Sequence, residues 1–143
     1  MVEIHRQALV NFTPEQMFDL VSEVEAYPKR FDWCLGAQVS EHDGEHLVAR
    51  LDLRFAGITQ HFSTRNTLER PHRISMQFVD GPFDWLHGVW TFTPLGDAGC
   101  KVALDLDFEV SNLLTGFAFR LGFQKLADRM VDDFCVEARR TYA

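Results

Sequence analysis

The amino-acid sequence predicts an α+β fold: a curved antiparallel sheet wrapped round a long C-terminal helix, with two short helices after the first strand. Three observations carry that expectation. Between residues 47 and 110, apolar and polar side chains alternate in successive runs, the period of antiparallel strands with one dry and one wet face. From about residue 113 to 142 the apolar spacing changes to three and four, the period of a long amphipathic helix. One helix must then cover the dry face of every strand, and the economical arrangement is a sheet curved enough to grip it.

Taken in order, residues 2–9 read as the first strand. A helix follows, with Thr13 as its cap, Pro14 in the first helical position and Gln16 placed to complete a capping box. Met17, Leu20, Val21 and Val24 give it an apolar face. Pro28 and Gly36 bracket a compact connection that holds Tyr27, Phe31 and Trp33. Period-two runs then follow: Leu47 to Phe55, Ile58 to Leu68, Ile74 to Phe78, Leu86 to Phe92, and Cys100 to Val110, the cleanest of them. Asp43-Gly44, Ala56-Gly57 and Asp97-Ala98-Gly99 are turn signals between strands. In the final helix, Phe119, Phe123, Leu126, Met130, Phe134 and Ala138 form one stripe, with Ser111 or Thr115 as a cap. Arg129 and Asp133 stand one turn apart.

A chain of 143 residues fits one domain, here residues 1–143, and at this size a domain buries roughly 68–70% of its unfolded surface. Thirteen Phe and three Trp either pack a dense core or line a cavity. The absence of a long apolar run or a signal-like N-terminus predicts a soluble cytoplasmic protein, at most peripheral to the inner membrane. Cys34, Cys100 and Cys135 lack disulfide or zinc spacing and read as reduced thiols. A net charge of −7 argues against general nucleic-acid binding, and DNA is not an expected partner.

The segment Phe18 to Pro28, followed by Phe31-Asp32-Trp33-Cys34, resembles the N-terminal signature of the coenzyme Q-binding/RatA family, a branch of the START-like (helix-grip) superfamily often labelled polyketide cyclase/dehydrase or lipid transport. Gly81-Pro82-Phe83 with Leu86-x-Gly88-x-Trp90-x-Phe92 is similar to its central motif. Cys100-x-Val102 leading to Asp107-Phe108-Glu109, and Phe134…Ala138-Arg139…Tyr142, are similar to its ending. A helix-breaking turn between residues 112 and 116 also agrees. The chain departs from the family at Lys29-Arg30-Phe31-Asp32, where a further Pro is usual. The resemblance spans essentially the whole chain. It implies a helix-grip fold with an internal apolar cavity, and one of two roles: ubiquinone binding in support of respiration, or RatA-type binding to the large ribosomal subunit that blocks subunit association.

On parity, the positions expected to face a cavity are Leu51, Leu53, Phe55, Phe62, Met76, Phe78, Leu86, Trp90, Leu104, Leu106 and Phe108, with Trp33 and Phe83 beside them. Phe117, Leu121 and Met130 on the long helix would close it; the competing reading is a solid core. Gln60, Thr64 and Asn66 share the inward parity and need partners, because an unpaired buried polar group costs about 1–3 kcal/mol. A ligand oxygen, a mutual hydrogen-bond network, or a bulge that turns them outward would each meet that need. The loop from Asp80 to Phe83 is a turn aiming Phe83 and Trp85, either a plain hairpin or a gate. The six His lack metal-pair spacing. Asp105 and Asp107 sit on a polar face and read as a solvated edge. Arg65, Arg70, His72 and Arg73, backed by Arg139 and Arg140, form the densest basic cluster, a solvated face or a contact for ribosomal RNA or anionic lipid.

No catalytic residue, metal or required cofactor is therefore expected. The leading expectation is a non-enzymatic carrier or chaperone for ubiquinone or a similar prenyl lipid, with transient membrane contact. The alternative is a ribosome-binding inhibitor of translation. An aromatase/cyclase-like enzyme ranks last, since the inward parity offers few acid or base groups.

Overall fold

A computed structural model describes residues 1–55, 57–110 and 116–143. Strand β1 (Val2–Val10) leads to α1 (Pro14–Ser22), a 3₁₀ turn (Val24–Ala26) and α2 (Tyr27–Arg30). Then come β2 (Cys34–Ser40), β3 (His46–Phe55), β4 (Ile58–Glu69), β5 (Arg73–Asp80), β6 (Phe83–Leu95), β7 (Gly99–Val110) and α3 (Gly116–Tyr142). Among the described residues the strands form one seven-stranded sheet in the order β1-β7-β6-β5-β4-β3-β2, with every neighbouring pair antiparallel. The two helices and the turn between β1 and β2 carry the chain from one edge of the sheet to the other.

Local chemistry explains the boundaries. The Gln16 backbone N–H donates to Thr13 Oγ1 at 3.1 Å and the Thr13 N–H donates to Gln16 Oε1 at 2.9 Å, the reciprocal capping box the sequence predicts. The connection expected as far as Gly36 already becomes strand at Cys34. A register shift between Cys34 and Gly36 disturbs its alternation, which is why β2 does not read as a strand. The expected caps Ser111 and Thr115, residues 112–115 of the expected turn and Ala56 lie outside the described residues.

A second register shift, between Phe83 and Trp85, has a larger consequence. With strict alternation, Phe83 and Leu86 would face opposite sides; the extra residue brings both inward, and both are buried. Trp85 is left on the outer face, 39% exposed, so the turn aims Phe83 alone into the interior. The turn itself needs Gly81 at φ 140°, where a Cβ would also come within 2.6 Å of Phe62 Cβ.

Helix α3 spans 27 residues, about 40 Å at ~1.5 Å per residue, and lies across the concave face. Phe119, Phe123, Leu126, Phe134 and Ala138 of its predicted stripe are all buried. They meet the sheet in two aromatic clusters. In one, Phe83 touches Phe62, Phe78, Phe108, Phe119 and Phe123 at centroid distances of 5.0–5.9 Å. In the other, Phe134 meets Tyr27 at 5.4 Å, Phe31 at 4.8 Å and Trp90 at 5.3 Å. Phe134→Ala should therefore cost about 3–5 kcal/mol in equilibrium urea unfolding, from lost transfer energy and the cavity left behind. Phe117→Ala, on the same helix but 79% exposed, should stay within about 0.5 kcal/mol of wild type.

Candidate functional site: a small cavity between the sheet and the long helix

Between the two aromatic clusters the curved sheet and the straight helix fail to meet, and a cavity of about 70 Å³ remains. Trp33, Leu51, Phe62, Thr64, Asn66, Met76, Leu86, Trp90, Leu104, Leu106 and Met130 line it, all from the predicted set. Val24, Tyr27, Ala49 and Phe123 line it too and are not among the expected cavity positions. Ala49 carries the inward parity of β3, and Phe123 belongs to the helical stripe, so both were legible as core. Tyr27 comes from an irregular connection with no period to read. Its buried hydroxyl donates to the Val21 carbonyl, and burial pushes its pKa up. Gly88 shapes the wall by having no side chain, since a Cβ there would lie 2.6 Å from Met76 Cε and 2.9 Å from Leu106 Cδ1.

The remaining predicted positions do not line this space. Leu53, Phe83 and Phe108 are buried in solid packing. Phe78 packs on Phe83. Phe55 packs on Phe119 at 5.5 Å and faces a surface groove. Gln60, half-buried on β4, is not among the lining residues. Phe117 and Leu121, expected to close the cavity from the helix, instead point to solvent at 79% and 45% exposure. The buried ridge of α3 runs through Phe119 and Phe123, and positions 117 and 121 fall outside that apolar stripe.

The inward polar residues resolve into a pair. Thr64 and Asn66 are 5% and 6% exposed, and the Thr64 hydroxyl donates to Asn66 Oδ1 at 2.8 Å. The alternation of β4 is unbroken through this stretch; the nearby register shift falls on the pairing with β5. The mutual network is thus the answer for this pair. At about 70 Å³ the space has roughly half the volume of a ~150 Å³ cavity that accepts benzene, and falls well below the ~300 Å³ at which ligand pockets begin. In this conformation it does not admit an aromatic ring.

Acid–base and nucleophilic groups lie elsewhere. Asp105 stands on the outer face, where His5 Nδ1 meets its Oδ1 at 2.7 Å, a hydrogen bond that raises the His5 pKa. Cys34 and Cys100 are buried thiols that desolvation pushes up to about 11, which keeps them protonated and poorly nucleophilic at neutral pH. Half of the basic cluster of the sequence is neutralised in space. Arg70 makes a bidentate pair with Asp19 at 2.8 and 2.9 Å, Arg73 lies 3.7 Å from Glu69, and Arg140 lies 3.3 Å from Glu137. No helix among the described residues is long and apolar enough to cross a membrane. Thr64→Val, which leaves Asn66 Oδ1 without its donor, should cost about 1–3 kcal/mol in urea unfolding. The double change Thr64→Val with Asn66→Leu should recover most of that loss, since no polar group is then stranded.

The family model for polyketide cyclase/dehydrase and lipid transport proteins matches residues 10–135. A protein from Vibrio cholerae named ribosome association toxin RatA is 44% identical over 142 residues, 99% of each chain. The RatA of Escherichia coli K12 is 41% identical, over 100% of this chain and 90% of its own. A Xenopus laevis protein named coenzyme Q-binding protein COQ10 homolog B is 26% identical, over 99% of this chain and 59% of its own. Among solved structures, the Zhui aromatase/cyclase of a Streptomyces species superposes with a TM-score of 0.84 at 16% identity, covering 99% of this chain and 96% of that one, a likeness of fold alone. The chain belongs to the polyketide cyclase/dehydrase and lipid transport family and stands, within it, with the RatA proteins.

Proposed function

We propose that this chain is a non-enzymatic, ribosome-associating inhibitor, the role that the RatA resemblance implies, in which the large ribosomal subunit is bound and subunit joining is blocked. The observation that carries the reading is 44% identity over 99% of both chains to a protein named for ribosome association. Two features of the molecule support it. The cavity of about 70 Å³ is too small to hold a resident ring in this conformation, and the cavity wall offers the Asn66 amide and the hydroxyls of Thr64 and Tyr27 but no acid–base pair. The order of preference read from the sequence alone is therefore reversed, with the lipid carrier second.

The carrier reading keeps one specific observation in its favour. The Asn66 amide is buried at the wall of a largely apolar cavity, where a carbonyl or methoxy oxygen would meet it once the cavity widened. Polar groups placed singly in an apolar pocket are how such sites orient a ligand.

Purified protein should co-sediment with isolated large subunits, and its overexpression should arrest growth while free subunits accumulate at the expense of joined ribosomes in sucrose gradients. A normal gradient profile, with no co-sedimentation, would overturn the proposal. Mass spectrometry of an organic extract from detergent-free protein separates the second reading: a stoichiometric prenyl quinone would make the carrier role primary.

A further inference from the structure

A second concavity lies outside the cavity, on the surface where the β3–β4 hairpin meets α3. It is a groove of about 480 Å³, and Arg54, Lys125 and Arg129 project along it with Asp32 as the one carboxylate in its lining. Its walls are fixed by packing. The Arg54 backbone N–H donates to the Trp33 carbonyl at 2.9 Å, which ties the end of β3 to the connection before β2. Gly122 lets the Phe55 ring lie against α3, for a Cβ there would come within 2.5 Å of that ring.

The charges in this groove differ from those of the paired arginines. Arg70, Arg73 and Arg140 each face a carboxylate. Arg129 faces Asp133 at 3.7 Å, and that carboxylate also accepts from Trp33 Nε1 at 3.1 Å. Arg54 and Lys125 are exposed and have no carboxylate within 4.0 Å among the described residues. Lys29, Arg65, Lys101 and Arg139 likewise have no carboxylate within 4.0 Å among the described residues, but in this groove two such cations from separate elements converge with a third, on a chain of net charge −7. Phe117 and Leu121 continue the same ridge of α3 at steps of four residues, exposing an aromatic ring and an aliphatic side chain beyond Lys125.

We infer that this groove is the RNA-docking surface of the protein, in which Arg54, Lys125 and Arg129 hold backbone phosphates and Phe117 offers a face on which an unpaired base stacks. The inference rests on the ribosome-associating role proposed above and names the face that performs it. Uncompensated cations supply the affinity through release of counterions from the phosphates, and aromatic stacking tolerates any base.

The test is sedimentation of the protein with purified large subunits across a salt series from about 50 to 200 mM. Arg54→Gln with Lys125→Gln should lower the slope of log K against log salt by about 1.4 to 1.8, at roughly 0.7–0.9 per phosphate contact. Both side chains are exposed, so the urea midpoint should match wild type. Arg70→Gln with Arg73→Gln, whose guanidinium groups already face carboxylates, should leave the slope unchanged. If wild type binds and the groove variant keeps the wild-type slope, the groove is overturned and the ribosome role survives. A wild type that does not bind at all overturns both. Vesicles of phosphatidylcholine and phosphatidylglycerol serve as the comparison probe. If the groove variant loses vesicle binding while subunit binding is untouched, the surface belongs to anionic membranes and the RNA assignment is wrong.

Discussion

The seating of Phe83 against α3 is the contact on which the rest of this molecule depends. A curved sheet has to be joined to a straight helix, and the ring of Phe83 bridges them, meeting Phe119 and Phe123 of the helix at 5.4 and 5.0 Å and Phe108 of the neighbouring strand at 5.7 Å. It reaches that place only because one extra residue in β6 resets the alternation between Phe83 and Leu86. The bulge therefore does what bulges commonly do near functional concavities: it re-aims one side chain without breaking the strand. With that end of the helix fixed, the second cluster round Phe134 fixes the other, and the helix has no freedom to settle into the space between.

That space is the cavity, and its size follows from the two clusters on either side of it. Phe62 and Phe123 bound it from one cluster, and Tyr27, Trp33 and Trp90 from the other. Rigid rings set a lower limit on how far the walls can collapse, which keeps a void open that aliphatic side chains would have closed. Met76 and Met130 also line it, and these unbranched side chains are the ones through which such a space changes shape at least cost. The same architecture supports both a nearly filled core and an open ligand chamber, which is how one fold serves enzymes, carriers and binding proteins alike.

Periodicity made most of the sheet and the buried stripe of α3 legible in the sequence, because each strand has one dry face and the alternation is unbroken from Cys100 to Val110. It failed where a register shift intervened: β2 was hidden by the irregularity at Cys34–Gly36, and the inward turn of Phe83 sat on the wrong parity for its strand. Parity also distinguishes inside from outside but not packed from empty. Leu53 and Leu51 occupy the same face of β3, yet Leu53 is sealed in the core and Leu51 borders the cavity, a difference set by what α3 places opposite each. Phe117 and Leu121 are expected from the sequence to close the cavity with Met130, and the helical wheel puts both outside the buried stripe.

Charge was the least legible property, for a related reason. Density along the chain singled out Arg65 to Arg73, but two of those guanidinium groups find carboxylates in space, Arg70 across 51 residues of sequence at Asp19 and Arg73 at Glu69. The groove cations come from positions that look unremarkable in sequence: one at the end of a strand, two on a helix rich in acids. What decides the local potential is which charges remain uncompensated after folding, since a paired surface charge contributes little field beyond its partner. An acidic protein has room in this way for a locally basic groove, because a net charge of −7 says nothing of where unpaired cations such as Arg54 and Lys125 converge.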